Sequence, residues 1–286
     1  MKEKNLTKRL VESSLMIALA TVLSIFKLGE MPYGGSITLA SMLPIMIVAY
    51  RHGVPAGLGA GLGYAVIQQL LGLKNLSYFT TWQSILAVML LDYIAAFTVA
   101  GLGGAFRGKL APLGAGTARR QSLELGMGAI VVSALRYILH TISGCTVWAG
   151  LSIPTEAALA YSLVYNATYM IPESIIFVSV SIWLGGMLDM SCDVPRRLQL
   201  KRESSVSVLD YAPHLVALLA LVAIVVDTAL IFPYLQDAES GEFTLAALGG
   251  VCWPAVIAVS AVCVTLSAVA LILRAVFQGR AQRNNS

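Results

Sequence analysis

Residues 136–166 read RYILHTISGCTVWAGLSIPTEAALAYSLVYN, two apolar segments that meet at a short turn, Ser152 to Glu156. Within a few helical turns of it stand His140, Trp148, Tyr161, Tyr165 and Asn166. Lipid offers no hydrogen bonds, so a bilayer makes such groups costly unless they are paired or face a cavity. The stretch therefore reads as a membrane helical hairpin and as half of a binding site for a polar, aromatic-sized solute.

The rest of the chain agrees. Of its 286 residues 57% are hydrophobic and 12% charged, far below the roughly 25% charged residues of soluble domains, and the mean hydropathy is +0.78. Apolar runs of the order of 20 residues bounded by Lys/Arg clusters read as spanning helices, not as barrel strands of alternating polarity. The fold class is all-α and polytopic. The run Leu10 to Phe26 lacks a small-residue cleavage pattern and reads as a first spanning helix that is kept. Cys145, Cys192, Cys252 and Cys263 have no CxxC spacing, which points to neither a metal site nor a disulfide framework. The net charge of +4 sits in loops, where it sets topology, so nucleic acid is not indicated. A GxxxxGK[ST] loop is absent, and any ATP-driven work falls to a partner.

Lys2, Lys4, Lys8 and Arg9 place the amino terminus in the cytoplasm by the positive-inside rule. The first helix runs outward, with Ser14 and Ala18 as a small-residue pair open to close approach by another helix. The segment Gly29 to Ser36 reads as a flexible external loop, because its Pro and Gly residues oppose regular helix. A short second helix, about Ile37 to Tyr50, carries Pro44 in its middle and is expected to kink there. Pro55 to Gly72 holds Gly57, Gly59, Gly61 and Gly63, a pattern in two registers that favours backbone contact. Further helices run between Thr80 and Arg107, from Leu123 to Leu151, from Ala157 to Leu188, from Pro213 to Phe232 and from Leu245 to Leu273. With both ends inside, this eight-helix topology puts 16 of the 19 Lys/Arg in the cytoplasm, Lys27 and Lys74 outside and Arg136 within a helix.

Asp92 lies about twelve residues into its helix, roughly 18 Å deep, where a carboxylate is a functional candidate; a pair with Arg136, or a hydrogen-bonded acid, is the structural alternative. Tyr93 beside it points about 100° away. His140, Gly144 and Trp148 follow an i, i+4, i+8 stripe, with Gly144 leaving room for a ring between imidazole and indole. An interfacial anchor is the other reading of Trp148, and a satisfied core imidazole that of His140. Tyr161 and Tyr165 share a face, and Asn166 presents a donor and an acceptor suited to an aminopyrimidine-like edge, or else bridges helices. His52 and His214 fall elsewhere, so no metal site is suggested. One carboxylate among aromatics is the chemistry expected for an organic cation.

At these residues the chain resembles the thiamine-specific substrate-binding (S) components of energy-coupling factor (ECF) transporters. The likeness runs from about Leu10 to Leu188 through GGSITLASMLPIMIVAYRHG, AGLGAGLGYAVIQQLLG, LLDYIAAF, RYILHTISGCTVW and YSLVYNATYMIPE. It implies a six-helix bundle that takes thiamine from outside, without cofactor or enzymatic activity, in a bacterial plasma membrane, and works with a transmembrane coupling (T) subunit and two cytoplasmic ATPases. Asp92 would face the cation, Tyr93, Trp148 and Tyr161 would stack on its rings, and His140, Gly144 and Asn166 would complete the site. Tyr33, Gly34 and Gly35 would form the gate, and Ser14 and Ala18 the coupling-subunit contact. The organisation becomes a six-helix domain over residues 1–190, a basic linker over 191–211 and two additional helices over 212–286. An S component for another vitamin or a thiamine precursor is a second reading, and an intramembrane enzyme using Asp92 and His140 a third.

Arg136 and Glu173 lie at similar depth on adjacent helices and are expected to neutralise each other. Breaking one half of a buried pair costs about 3–5 kcal/mol, so Arg136→Ala and Glu173→Ala are each expected to lower the unfolding temperature, and the double variant to lose less than their sum. Additive losses in that thermal double-mutant cycle would rule the pair out.

Overall fold

The structure is a computed structural model that describes residues 2–110, 117–151, 153, 155–198, 212–235 and 246–284. The chain divides into two compact units, one over residues 1–197 and a second formed mainly by the chain beyond residue 198. Most of the expected linker, residues 199–211, and the acidic loop with Asp237, Glu239 and Glu242 lie outside the described residues.

The first unit opens with α1 (Lys2–Ile25), whose apolar side chains Leu10, Val11, Leu15, Leu19 and Val22 face outward. In place of a flexible loop there follows an antiparallel hairpin of β1 (Lys27–Glu30) and β2 (Ser36–Thr38), paired Lys27 to Thr38, Gly29 to Ile37 and Glu30 to Ser36. Its tip, Pro32–Gly34, is a tight turn with Tyr33 at φ 65° and Gly34 at φ 110°. Pro and Gly oppose helix, as the sequence indicated, but here they supply the turn that lets the flanking backbone pair.

α2 (Leu43–His52) begins one residue before Pro44, which therefore sits in the first turn, where its missing N–H costs nothing. The expected kink is absent for that reason. At about 15 Å this helix cannot cross a hydrocarbon core of about 30 Å alone; its residues 43–50 are all buried, against α1, α3, α4 and α5. Gly53, at φ 90°, turns the chain into α3 (Val54–Leu71). A single turn, Leu73–Leu76, then leads to α4 (Trp82–Phe106), capped where the Ser84 N–H donates to Thr81 Oγ1 at 3.3 Å. α5 (Thr117–Thr146) and α6 (Ala158–Met187) form the most extensive helix pair.

The four glycines of α3 divide into two faces. A Cβ at Gly57 would collide with Ala49 and the Gly101 main chain, and one at Gly61 would come 2.9 Å from the Thr98 carbonyl. Gly59 has nothing within 4 Å and is exposed, while Gly63 meets only the tip of Ile17. Only the Gly57/Gly61 register is a backbone contact.

At the end of the bundle away from the hairpin, Arg51 pairs with Glu12 and donates to the carbonyls of Met190 at 2.8 Å, Cys192 at 3.1 Å and Asp193 at 3.0 Å. Tyr50 donates to Glu124, which also accepts from Gly108 N–H at 2.8 Å. A short ribbon, β3 (Leu188–Asp189) with β4 (Arg196–Arg197), closes the unit. Asp189 accepts bonds from the Ser191 side chain and main chain, which hold its carboxyl below the usual carboxylate range.

The second unit is a pair of packed helices, α7 (Ala212–Ile231) and α8 (Trp253–Asn284). The half-buried Asp227 of α7 accepts a bond from Ser260 of α8 at 2.6 Å. Among the described residues five helical segments are long and apolar enough to cross a membrane: α3, α4, α5, α6 and Trp253–Arg274. The protein is an all-α, multi-pass membrane protein.

The split of α3 into two faces has a direct consequence. Gly57→Leu is expected to cost at least the ~1–3 kcal/mol of an overpacked core and Gly59→Leu close to nothing, read as unfolding temperature in detergent. Equal losses would place both registers against protein.

Candidate functional site

α4 is not regular. Residues Met89–Ala95 form a π-helical turn, and Asp92 lies at its centre. Such turns shift side chains around the axis and recur at functional sites. Here the turn brings the carboxylate to α5, where His140 Nδ1 lies 3.0 Å from Oδ1 and Ser143 donates to Oδ2 at 2.7 Å. Trp148, just past the end of α5, donates its indole Nε1–H to Oδ2 at 2.8 Å. Three hydrogen bonds on one carboxylate fix its direction. Arg136 is not its partner, since it pairs with Glu173; the other structural reading, a hydrogen-bonded acid, is what these three bonds describe.

With Nδ1–H directed at Asp92, the imidazole presents Nε2, which is buried and has no hydrogen-bond partner. A ring-nitrogen acceptor beside a carboxylate suits a ligand that offers both N–H donors and positive charge.

Trp148 is buried, with 8% of its surface exposed, so it is not a lipid-interface anchor. Its ring meets Phe79 at 4.7 Å between centroids, Tyr33 at 6.1 Å and Tyr78 at 6.2 Å. Tyr33 comes from the hairpin tip and also meets Tyr78 at 5.1 Å. The left-handed turn at Tyr33 is what aims its ring at the indole. The next residues of the tip are held as closely: a Cβ at Gly34 would collide with Asn75 and one at Gly35 with the ring of Tyr169.

The remaining sequence candidates are placed as follows. The Tyr93 hydroxyl donates to the Gly72 carbonyl at 3.2 Å and accepts from Asn75 at 3.0 Å, tying α4 to the end of α3. Gly144 faces α6, where any Cβ would collide with Ser162 Oγ; its bareness admits a neighbouring helix, not a ring between His140 and Trp148. Asn166 donates to Ser162 O at 2.9 Å and His140 O at 3.3 Å and accepts from the Tyr169 hydroxyl at 2.7 Å. It bridges α5 and α6. Tyr161 is half-buried near the start of α6, one turn before Tyr165. Ser14 and Ala18 are both exposed on α1. Among the described residues no group of three or more His, Cys, Asp or Glu is placed to hold a metal ion.

Beneath the cluster, one turn before His140 on α5, Arg136 donates to Glu173 Oε2 of α6 at 2.7 Å. Its guanidinium carbon lies 5.0 Å from the centre of the Phe97 ring. The expected ion pair is present. Ser143, Tyr78 and Phe79 were not singled out by the sequence. Ser143 lies three residues after His140 on one helical face, a spacing that could have flagged it; the two rings carry no such signal.

Comparison with known proteins agrees with this architecture. Residues 10–190 match the family model described as thiamine transporter protein (Thia_YuaJ). The thiamine transporter ThiT of Bacillus subtilis (strain 168) is 34% identical over 171 residues, covering 59% of this chain and 85% of the relative. The solved structure of ThiT from Listeria monocytogenes superposes with a TM-score of 0.52 at 23% identity, over 64% of this chain and 94% of that one, and so shares the fold. The matched residues end before α7 and α8. With the family match spanning well over half of its length, the chain belongs to the thiamine transporter protein (Thia_YuaJ) family.

Proposed function

We propose that the protein is the thiamine-binding S component of an ECF-type importer in a bacterial plasma membrane, binding without catalysing. The observation that carries this reading is the Asp92 carboxylate, fixed by His140, Ser143 and Trp148, with Tyr33, Tyr78 and Phe79 packed on the Trp148 ring. Thiamine is a cation with an aminopyrimidine ring. A desolvated carboxylate attracts the charge, aromatic faces add cation–π contact worth up to ~2 kcal/mol, and the free His140 Nε2 accepts from an amino group. Tyr93, Gly144, Tyr161 and Asn166 frame this site; by their bonds, Tyr93 and Asn166 act through the helices they hold.

The hairpin tip, Tyr33, Gly34 and Gly35, is the gate, because its aromatic ring closes on the same indole that anchors the carboxylate. Both termini are cytoplasmic, which leaves the gate facing outward and matches the clustering of Lys and Arg at the opposite end. Energy comes from a transmembrane coupling subunit and two cytoplasmic ATPases. The exposed Ser14 and Ala18 on α1, flanked by outward Leu15 and Leu19, offer the coupling subunit a surface of close approach. The pair α7 and α8 adds a second helical unit outside the binding domain.

Titrating thiamine into the purified protein is expected to quench tryptophan fluorescence saturably at micromolar ligand or below, and Trp148→Phe to remove most of that response while Trp82, Trp183 and Trp253 remain. Saturable binding of a different vitamin, with no response to thiamine, would overturn the assignment. Isolation from native membranes is expected to bring down an ATPase and a coupling subunit, and Ala18→Leu to release them; recovery of neither partner would contradict the ECF reading.

A further inference from the structure

The Arg136–Glu173 pair leaves one carboxylate oxygen over, and that oxygen points to a role for the gate's base as distinct from its tip. Glu173 Oε2 holds Arg136, and Glu173 Oε1 accepts from Thr38 Oγ1 at 2.5 Å. Thr38 is the last residue of β2, so its hydroxyl is a polar link from the hairpin to α6. All three side chains are buried. Ser41 Oγ lies 2.9 Å from the same hydroxyl. Between Thr38 and Ser41 the chain passes through Ala40 at φ 53°, a left-handed conformation that alanine holds only where its surroundings impose it.

We infer that Thr38 and Glu173 are positioning residues that form the catch of the gate: their hydrogen bond pins the base of the hairpin and sets how fast bound ligand escapes. This rests on the reading of the hairpin as the gate over Asp92. When the hairpin lifts, Glu173 keeps Arg136 and loses only the Thr38 bond, while Ser41 remains beside the freed hydroxyl. At the base, opening therefore strands no charge in the bundle and costs one charge-assisted hydrogen bond together with the packing of the buried Ile37. The hairpin is also tied by ring contacts from Tyr33 at the tip, by the Tyr165 hydroxyl paired with the Gly35 main chain, and by the buried side chains of Met31 and Ile37. The catch lies on the same α5 and α6 stripes as the ligand groups, with Arg136 one turn from His140 and Glu173 two turns from Asn166. It touches no ligand itself.

Thr38→Val keeps the shape and removes the donor, whereas Thr38→Ser keeps the donor. In a stopped-flow chase of thiamine from the purified full chain, Thr38→Val is expected to raise the dissociation rate about tenfold or more. Association should change little, and Thr38→Ser should stay within about threefold of the parent. Without any ligand, hydrogen exchange over residues 27–38 is expected to quicken in Thr38→Val and not in Thr38→Ser, with α5 and α6 unchanged. Parent-like hairpin exchange in Thr38→Val, equal effects of both variants, or loss of protection spreading to α5 and α6 would each overturn the catch. Should the parent chain fail to bind thiamine at all, the assigned ligand falls, and the exchange measurement still decides the catch.

Discussion

A carboxylate inside an apolar bundle persists only where enough donors surround it, and Asp92 has three. His140 and Ser143 come from α5 and Trp148 from the chain just beyond it, so the acid holds α4, α5 and the segment after α5 together. The π-helical turn at Met89–Ala95 follows from that demand, because it directs Asp92 to α5 while the neighbouring Tyr93 hydroxyl reaches back to the end of α3. Trp148, once its N–H is committed, offers its ring to Phe79, Tyr78 and the hairpin residue Tyr33. One buried acid thus organises two helices, a loop and the tip of the hairpin.

The second buried charge works below it. Arg136 and Glu173 neutralise each other across the most extensive helix pair of the fold, and Glu173 has an oxygen left for the hairpin. A binding protein must release as well as hold, and the two ends of the hairpin divide that work. The tip sets the Tyr33 ring against Trp148 and pairs the Gly35 main chain with the Tyr165 hydroxyl; the base is bonded through Thr38 to a carboxylate that is already paired. Opening the base leaves the ion pair intact, so the bundle keeps its core while the entrance moves.

Much of this was readable in the sequence because a membrane penalises polar residues so heavily. Asp92, Arg136 and Glu173 stood out by depth, His140 by its stripe with Gly144 and Trp148, and the Arg136–Glu173 pair followed from matching depths. What escaped was geometry with no compositional mark. A π-helical turn looks like any apolar helix in sequence, and Ser143 is one of many small polar residues on helical faces. Phe79 and Tyr78 meet Trp148 only because the short turn Leu73–Leu76 and the hairpin fold over it. Pro44 was misplaced by one boundary: moving the helix start from about Ile37 to Leu43 turns a kink into a first-turn proline. The α3 glycines gave the right kind of contact in two registers, and only the tertiary fold chose between them.

The central claim is that the fixed Asp92 charge is what captures a cationic ligand. Isothermal titration of thiamine into the parent protein and into Asp92→Asn tests it most directly, since the amide keeps the shape and can still accept bonds from Ser143 and Trp148. A close charge pair desolvated in a binding site is worth about 2–5 kcal/mol, so the account predicts a loss of affinity of at least about thirtyfold with the fold retained. Equal affinity in the two proteins would contradict it.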